Sequence, residues 1–268
     1  MERSSHLPEL QQSANGTGPT LSVLLPCKDD RWRLGTQLEA ILKQLRPCDE
    51  LILLADGSDA RTRWVMDQFT EPQIKRFSNA EPSGVCGAYN QCAALARGEW
   101  LLGASGNDEV QPGAVSSWLS AAQRFPEARV MFGHIHGWER KPWLPDTGEV
   151  LPGWLPAIWL AEGWKTHGAA CFLRRDVWGK GYLPELAWFA DHFQSMVLTW
   201  RYGCVDLHAY ISRVNFLPDG FSQSHGDKEK YNRAIRACRE EFAKPEYDDV
   251  RRHGEVFDKI TGWLKEKE

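Results

Sequence analysis

Hydrophobic positions along the chain switch between two periods, and the switching predicts the elements. Leu21-Ser22-Val23-Leu24-Leu25 is a short apolar run ended by Pro26, which reads as a buried strand. Leu38, Ile41, Leu42 and Leu45 then recur at i, i+3, i+4 and i+7, one face of an amphipathic helix that Pro47 ends. Leu51-Ile52-Leu53-Leu54 is a second strand without a polar position. Two wholly apolar strands joined by a helical crossover are expected to lie parallel, with both faces covered. The alternation continues with a helix over 61–69, a strand over 74–77 and a small-residue helix over 85–96. A strand over 100–104, a helix over 112–124 with Pro112 in its first turn, and a strand over 129–132 follow. Such alternation predicts an α/β fold of the nucleotide-binding kind, a mostly parallel central sheet flanked by helices.

After Gly133 the text changes. Pro142, Pro145, Pro152 and Pro156 alternate with Trp138, Trp143, Trp154, Trp159 and Trp164. The prolines forbid a long helix and the aromatics argue against a solvated linker, so a loop-rich insertion packed over the sheet is expected. Regularity returns with a strand over 170–174, a helix over 186–202 whose face is Phe189, Phe193, Met196, Val197 and Trp200, and a strand over 205–213. Residues 227–242 and 247–265 read as two charged amphipathic helices, able to cap the sheet or to form a homodimer seam. The expected organisation is therefore a flexible tail over 1–19, an α/β half over 20–132, a second half with the Trp/Pro-rich insertion over 133–225, and a helical extension over 226–268.

Composition narrows the class. Among 268 residues, 32 Lys and Arg stand against 36 Asp and Glu, a net charge of −4 and a pI near 6.1, so a nucleic-acid partner is not expected. No apolar run approaches the roughly 18 residues of a transmembrane span, and residues 1–19 contain no signal-like apolar core. Seven cysteines without a Cys-x-x-Cys pair fit neither a zinc knuckle nor a disulfide framework. Cytoplasmic localisation is the expectation, with the thiols used as small buried hydrophobes. Thirteen tryptophans serve cores, interfaces or sugar stacking equally well.

In a parallel sheet, ligands bind beyond the carboxyl ends of the strands. The residues just past them here are Pro26-Cys27-Lys28-Asp29-Asp30, Ala55-Asp56-Gly57-Ser58-Asp59 and Ser105-Gly106-Asn107-Asp108-Glu109. Each alone is ordinary turn chemistry. Three acidic turns on one edge instead call for a cation or a donor-rich ligand. His134 and His136 alternate at a strand end, but no third ligand is visible in the sequence, so a metal role is not assigned to them.

These turns, with Gly87-Ala88-Tyr89-Asn90-Gln91, Ala96-Arg97-Gly98-Glu99-Trp100 and the Pro112-Gly113 pair, resemble family 2 glycosyltransferases of the GT-A fold over roughly residues 20–215. The resemblance implies a nucleotide-diphospho-sugar donor, a UDP-sugar favoured, with Mn²⁺ or Mg²⁺, and a glycan or small-molecule acceptor. It implies donor contacts from Pro26, Lys28, Asp56, Ser58, Asn90, Gly106 and Asn107, with Asp56 on the base. It assigns the metal to Asp108, aided by a late His225, and Glu109 lies one position off. The Ser105-Gly106-Asn107-Asp108 turn keeps one acid of the usual cluster, and Tyr89 stands where the family commonly has Arg. Asp191, in Ala187-Trp188-Phe189-Ala190-Asp191-His192, matches the family's acidic motif and is the candidate general base of an inverting hexosyl transfer; a carboxylate that merely stabilises a helix start is the alternative. Trp164, His167 and Trp188 are candidates for the acceptor pocket, or core filler. Two other functions compete: a catalytically inactive GT-A relative that binds nucleotide or glycan, and a sugar-nucleotidyltransferase, which the lack of a glycine-rich opening loop disfavours.

Overall fold

The computed structural model describes residues 18–106, 108–136, 168–215, 227–262 and 264–267. The first half is built as the periodicity requires. β1 (Leu21–Cys27) and β2 (Glu50–Asp56) are buried along nearly their whole length, and α1 (Leu34–Leu42) crosses between them with Leu34, Leu38 and Ile41 inward. α2 (Ala60–Asp67), β3 (Ile74–Asn79), α3 (Gly84–Leu95) and β4 (Trp100–Gly103) repeat the unit. β1 does not end at Pro26 but runs through Cys27. Pairing with β4 stops at Leu24, so the missing proline N–H falls beyond that ladder.

A two-residue strand, β5 (Glu109–Val110), leads to α4 (Ala114–Arg124) and β6 (Val130–Ile135). β7 (Cys171–Arg174), α5 (Ala190–Tyr202), β8 (Val205–Arg213), α6 (Lys228–Phe242) and α7 (Arg251–Thr261) complete the described elements. One sheet joins all eight strands in the order β3-β2-β1-β4-β7-β6-β8-β5. β1 pairs in parallel with β2 and β4, β2 with β3, and β6 with β8. β7 is antiparallel to both β4 and β6, and β5 to β8. The halves expected on either side of residue 132 thus share a sheet, because β7 inserts between β4 and β6.

Apolar layers lie on both faces. On one, Trp118 of α4 stacks on Phe172 at 6.0 Å and meets Trp100 edge-on at 6.3 Å. All three rings are essentially excluded from solvent, so truncating Trp118 to Ala is expected to cost about 3–5 kcal/mol. On the other, Ala88, Cys92 and Ala93 of α3 cover Leu24, Ile52 and Leu54; small residues there let the helix lie close. α5 is buried along most of its length, and α6 and α7 cover it: Trp200 packs on Phe242 and Phe257, and Phe193 on Phe242. The apolar residues Ala234, Ile235, Cys238 and Phe242 of α6 are buried within the chain itself, which supports capping over a dimer seam. No described helix is long and apolar enough to cross a membrane.

Candidate active site

The carboxyl edge of β1, β2 and β4 gathers the acidic turns. Asp29 holds a left-handed φ of 56° and accepts a hydrogen bond from the Asp59 backbone N–H at 2.9 Å, and Ser58 Oγ donates to the Cys27 carbonyl at 2.7 Å. These two contacts tie the first turn to the second. Asp30 lies against the third: a β-carbon on Gly106 would stand 2.6 Å from Asp30 Oδ2, so glycine is required there by close approach. Burial raises the Asp30 carboxyl above its ordinary range; the Lys28 N–H opposes this and the charges of Asp29 and Asp108 add to it. Three mutually repelling carboxylates therefore meet at the ends of β1 and β4.

Asp108 is 8% exposed, with Oδ2 accepting from Ser105 Oγ at 2.7 Å and Oδ1 from the Asn215 backbone N–H at 3.0 Å. The carboxylate is fixed from both sides, by its own turn and by the chain leaving β8. The donor set fits a hard cation of the Mg²⁺ or Mn²⁺ kind, which takes one or two carboxylates and completes its shell with water and phosphate oxygens. The like-charge field felt by Asp30 favours the same occupant.

Asp191 sits in the first turn of α5, directly after the Pro184–Phe189 3₁₀ segment, in which Ala187 adopts φ 50°. Its Oδ2 accepts from the Gly168 N–H at 3.1 Å and its Oδ1 from the His192 N–H at 2.8 Å. A β-carbon on Gly168 would lie 2.9 Å from Asp191 Oδ2 and 3.0 Å from Tyr182 Oη, and one on Gly103 would lie 3.2 Å from the Gly168 carbonyl. Asp191 is thus brought over the end of β4. The Tyr89 hydroxyl donates to the Ala104 carbonyl at 2.6 Å, and burial first, then nearby charges that include Asp108 and Asp191, push its pKa well up. It remains a neutral phenol.

Asp56 occupies a different part of the edge. It accepts from Ser83 N, Ser83 Oγ and Asn79 Nδ2, each at 2.8 Å to Oδ1, and Ser83 N also reaches Oδ2 at 3.0 Å. Burial would raise its carboxyl, but these donors outweigh it and hold the acid below its usual range. The strands place Asp56 two positions across the sheet from β4, roughly 10 Å away.

Several expected donor contacts read differently in the structure. The amide of Asn90 is engaged at both ends by the Tyr182 backbone, Nδ2 to the carbonyl at 2.7 Å and Oδ1 from the N–H at 2.8 Å, which gives it a bridging role within the chain. Ser58 is 3% exposed and its hydroxyl proton is used on Cys27, so its role is also to hold the turn. Pro26 belongs to β1, and Lys28 stays exposed at the rim. Gly106 provides the close approach to Asp30. Trp188 stacks on Tyr231 of α6 at 5.4 Å and packs edge-on against Phe189, joining the helical cap. Glu109 pairs across to Arg213 in β5. Asn107, Trp164, His167 and His225 lie outside the described residues. Sequence reasoning placed Asp30 in an acidic turn without a role of its own, missed the Ser83–Asn79 cradle and Asn215, neither of which carries a motif signal, and gave Tyr89 only as a departure.

One curled sheet flanked by helices, with its acidic turns gathered on one edge, has the GT-A architecture. The model of glycosyl transferase family 2 matches residues 22–175, and the chain belongs to that family. It is 26% identical over 196 residues to the O-antigen biosynthesis protein RfbC of Myxococcus xanthus, covering 66% of this chain and 15% of that one. A second curated relative, from Escherichia coli, is 28% identical over 111 residues, and this chain spans 39% of it. Among solved structures, S. aureus TarS 1–349 in complex with UDP-GlcNAc superposes with a TM-score of 0.72 at 13% identity, covering 91% of this chain and 71% of that one. The mannosyltransferase PcManGT from Pyrobaculum calidifontis, in complex with GDP-Man and Mn²⁺, gives 0.64 at 14%, covering 93% and 72%. At these identities the likeness is one of fold.

Proposed function

We propose that the chain transfers a sugar with inversion from a nucleoside-diphosphate donor, a UDP-sugar first, to an acceptor hydroxyl. The observation that carries the reading is the set of contacts at the end of β4: Asp108 is held by Ser105, Asp191 by the Gly168 N–H, and Gly168 packs against Gly103 beside Tyr89. The donors bound by the fold neighbours, UDP-GlcNAc and GDP-Man with Mn²⁺, support a nucleotide-sugar and a divalent cation in general. Asp108 would hold that cation, which when bound neutralises charge on the diphosphate. Asp191 takes the proton of the acceptor hydroxyl as that oxygen bonds to the anomeric carbon. The bond from that carbon to the diphosphate breaks, and its electron pair leaves with the nucleoside diphosphate. Two backbone N–H donors keep Asp191 aimed while leaving lone pairs for the proton. Asp56, at the far end of the edge, suits the base of the nucleotide through its remaining Oδ2 capacity.

The test is donor turnover in Asp191→Asn. Loss of a general base should lower turnover by about 10²–10⁴-fold while nucleoside-diphosphate binding is kept. Turnover unchanged in Asp191→Asn would remove Asp191 as the base, and nucleoside-diphosphate binding with no turnover in the wild type would favour a binding-only relative, the reading to which the single acid of the Ser105–Asp108 turn points.

A further inference from the structure

β6 and β8 run in parallel, yet their register slips: Phe132 faces Asp206, while His134 faces Tyr210. Two residues of β6 are thus spanned by four of β8, a bulge in which His208 adopts φ 49°. Gly133 makes room for it, since a β-carbon there would lie 2.0 Å from Ile211 Cγ1 and 2.8 Å from the Ala209 carbonyl. The effect of the bulge is to bring Asp206 and His208 of one strand beside His134 of the other.

One ligand atom from each of His134, Asp206 and His208 lies within 4.8 Å of the other two. His134 Nε2 is buried and stands 3.4 Å from Asp206 Oδ1, too far for a good charge-assisted hydrogen bond. His208 Nδ1 stands 4.0 Å from Asp206 Oδ2, so the carboxylate faces one imidazole with each oxygen. Two ligands bound at 2.0–2.2 Å to a tetrahedral ion are separated by about 3.3–3.6 Å. The first separation already has that value, and the widest needs to close by at most about 1.5 Å. Asp206 is 4% exposed, and a buried carboxylate needs a compensating charge. Burial would raise its carboxyl, but His134, the His208 N–H and the two imidazoles hold it below its ordinary range.

We propose that His134, Asp206 and His208 form a binding site for a borderline divalent cation, Zn²⁺ first, separate from the donor edge. Two imidazoles and one carboxylate suit zinc rather than Mg²⁺ or Ca²⁺, which prefer oxygen alone. Three protein ligands leave a fourth position for water or a further group. Asp206 and His208 also border a cleft of about 310 Å³ beside Ser116, Ser120 and Arg124 of α4, which gives an ion access. The ion clips the β8 bulge to β6, and β8 leads directly to Asn215, whose N–H holds Asp108.

The test uses the full chain, stripped with chelator and freed of any affinity tag, then given Zn²⁺ or Co²⁺. The wild type should bind one Zn²⁺ per chain by elemental analysis, and at a hundredfold excess over Kd its midpoint should rise by roughly 5–10 °C. Asp108→Asn should bind equally well, which separates this site from the donor edge. His134→Gln and Asp206→Asn should each weaken binding by about 100-fold or more. The wild type alone supplies a second readout: bound Co²⁺ should show the intense visible absorption of a tetrahedral nitrogen–oxygen site. No zinc in the wild type, equal affinity in the His134 and Asp206 variants, or an octahedral Co²⁺ spectrum would each overturn the proposal.

Discussion

Asn90→Ala separates the structural reading of this residue from the donor-binding one. The Asn90 amide bridges α3 to the segment ahead of α5 through two hydrogen bonds, of 2.7 and 2.8 Å, with the Tyr182 backbone. Tyr182 is 6% exposed, so the substitution strands one N–H and one carbonyl largely out of water. Each stranded group costs roughly 1–3 kcal/mol. Water reaching the half-buried Asn90 position favours the lower end, so the pair should cost about 2–4 kcal/mol. For a chain of this size that lowers the midpoint by roughly 5–15 °C. Gly181→Ala should act in the same direction, because its β-carbon would sit 2.1 Å from Asn90 Oδ1 at a residue with φ +69°. The assay is thermal unfolding of both variants, followed by nucleoside-diphosphate titration well below the midpoint. Binding within about threefold of wild type is expected, since Asn90 has no spare role at the donor. A midpoint within a degree of wild type, combined with tenfold weaker nucleotide binding, would instead put Asn90 at the donor site.

Other outcomes follow from single contacts. Gly133→Ala should destabilise by about 1–3 kcal/mol, because the β8 bulge occupies the space a side chain would need; chemical denaturation measures it. Asp56 has a lowered folded pKa, so its stabilising contribution is complete above the ordinary carboxylate value of 3.8 and is lost as pH falls through the lower folded value. Asp56→Asn should therefore flatten the fall of the midpoint with pH below about 4, and an unchanged acid limb would contradict the Ser83–Asn79 cradle. Asp30 has a raised folded pKa, so its ionisation opposes folding as pH rises past 3.8. Asp30→Asn should accordingly raise the midpoint at pH 7, and a lowered one would show that the charge is compensated.

β1 and β2 were legible because they are buried on both faces and contain almost no polar position, as in Leu51 to Leu54. The acidic turns were legible because a parallel sheet confines ligand chemistry to one edge. β7 was found as a strand, but its direction was not, since four residues after an irregular stretch carry no record of whether the chain has turned back. β5 escaped because two residues cannot show a period. The His134 cluster escaped for a geometric reason: Asp206 and His208 are seventy residues away, and only the register slip in β8 sets them opposite His134. The bridge from Asn90 was not legible because a motif position fixes where a side chain stands, while its partner, the Tyr182 backbone, leaves no trace in the sequence.

On the proposed function, Asp108 and the donor's diphosphate share one cation at the end of β4. Thermal shift with UDP, GDP and dTDP, with and without Mn²⁺, tests it in the wild type and in Asp108→Ala. One nucleotide at a hundredfold excess over its Kd should raise the wild-type midpoint by roughly 5–10 °C only when metal is present, and Asp108→Ala should lose that rise while remaining folded. A shift of equal size in Asp108→Ala, or no shift from any nucleotide with metal, would contradict the account.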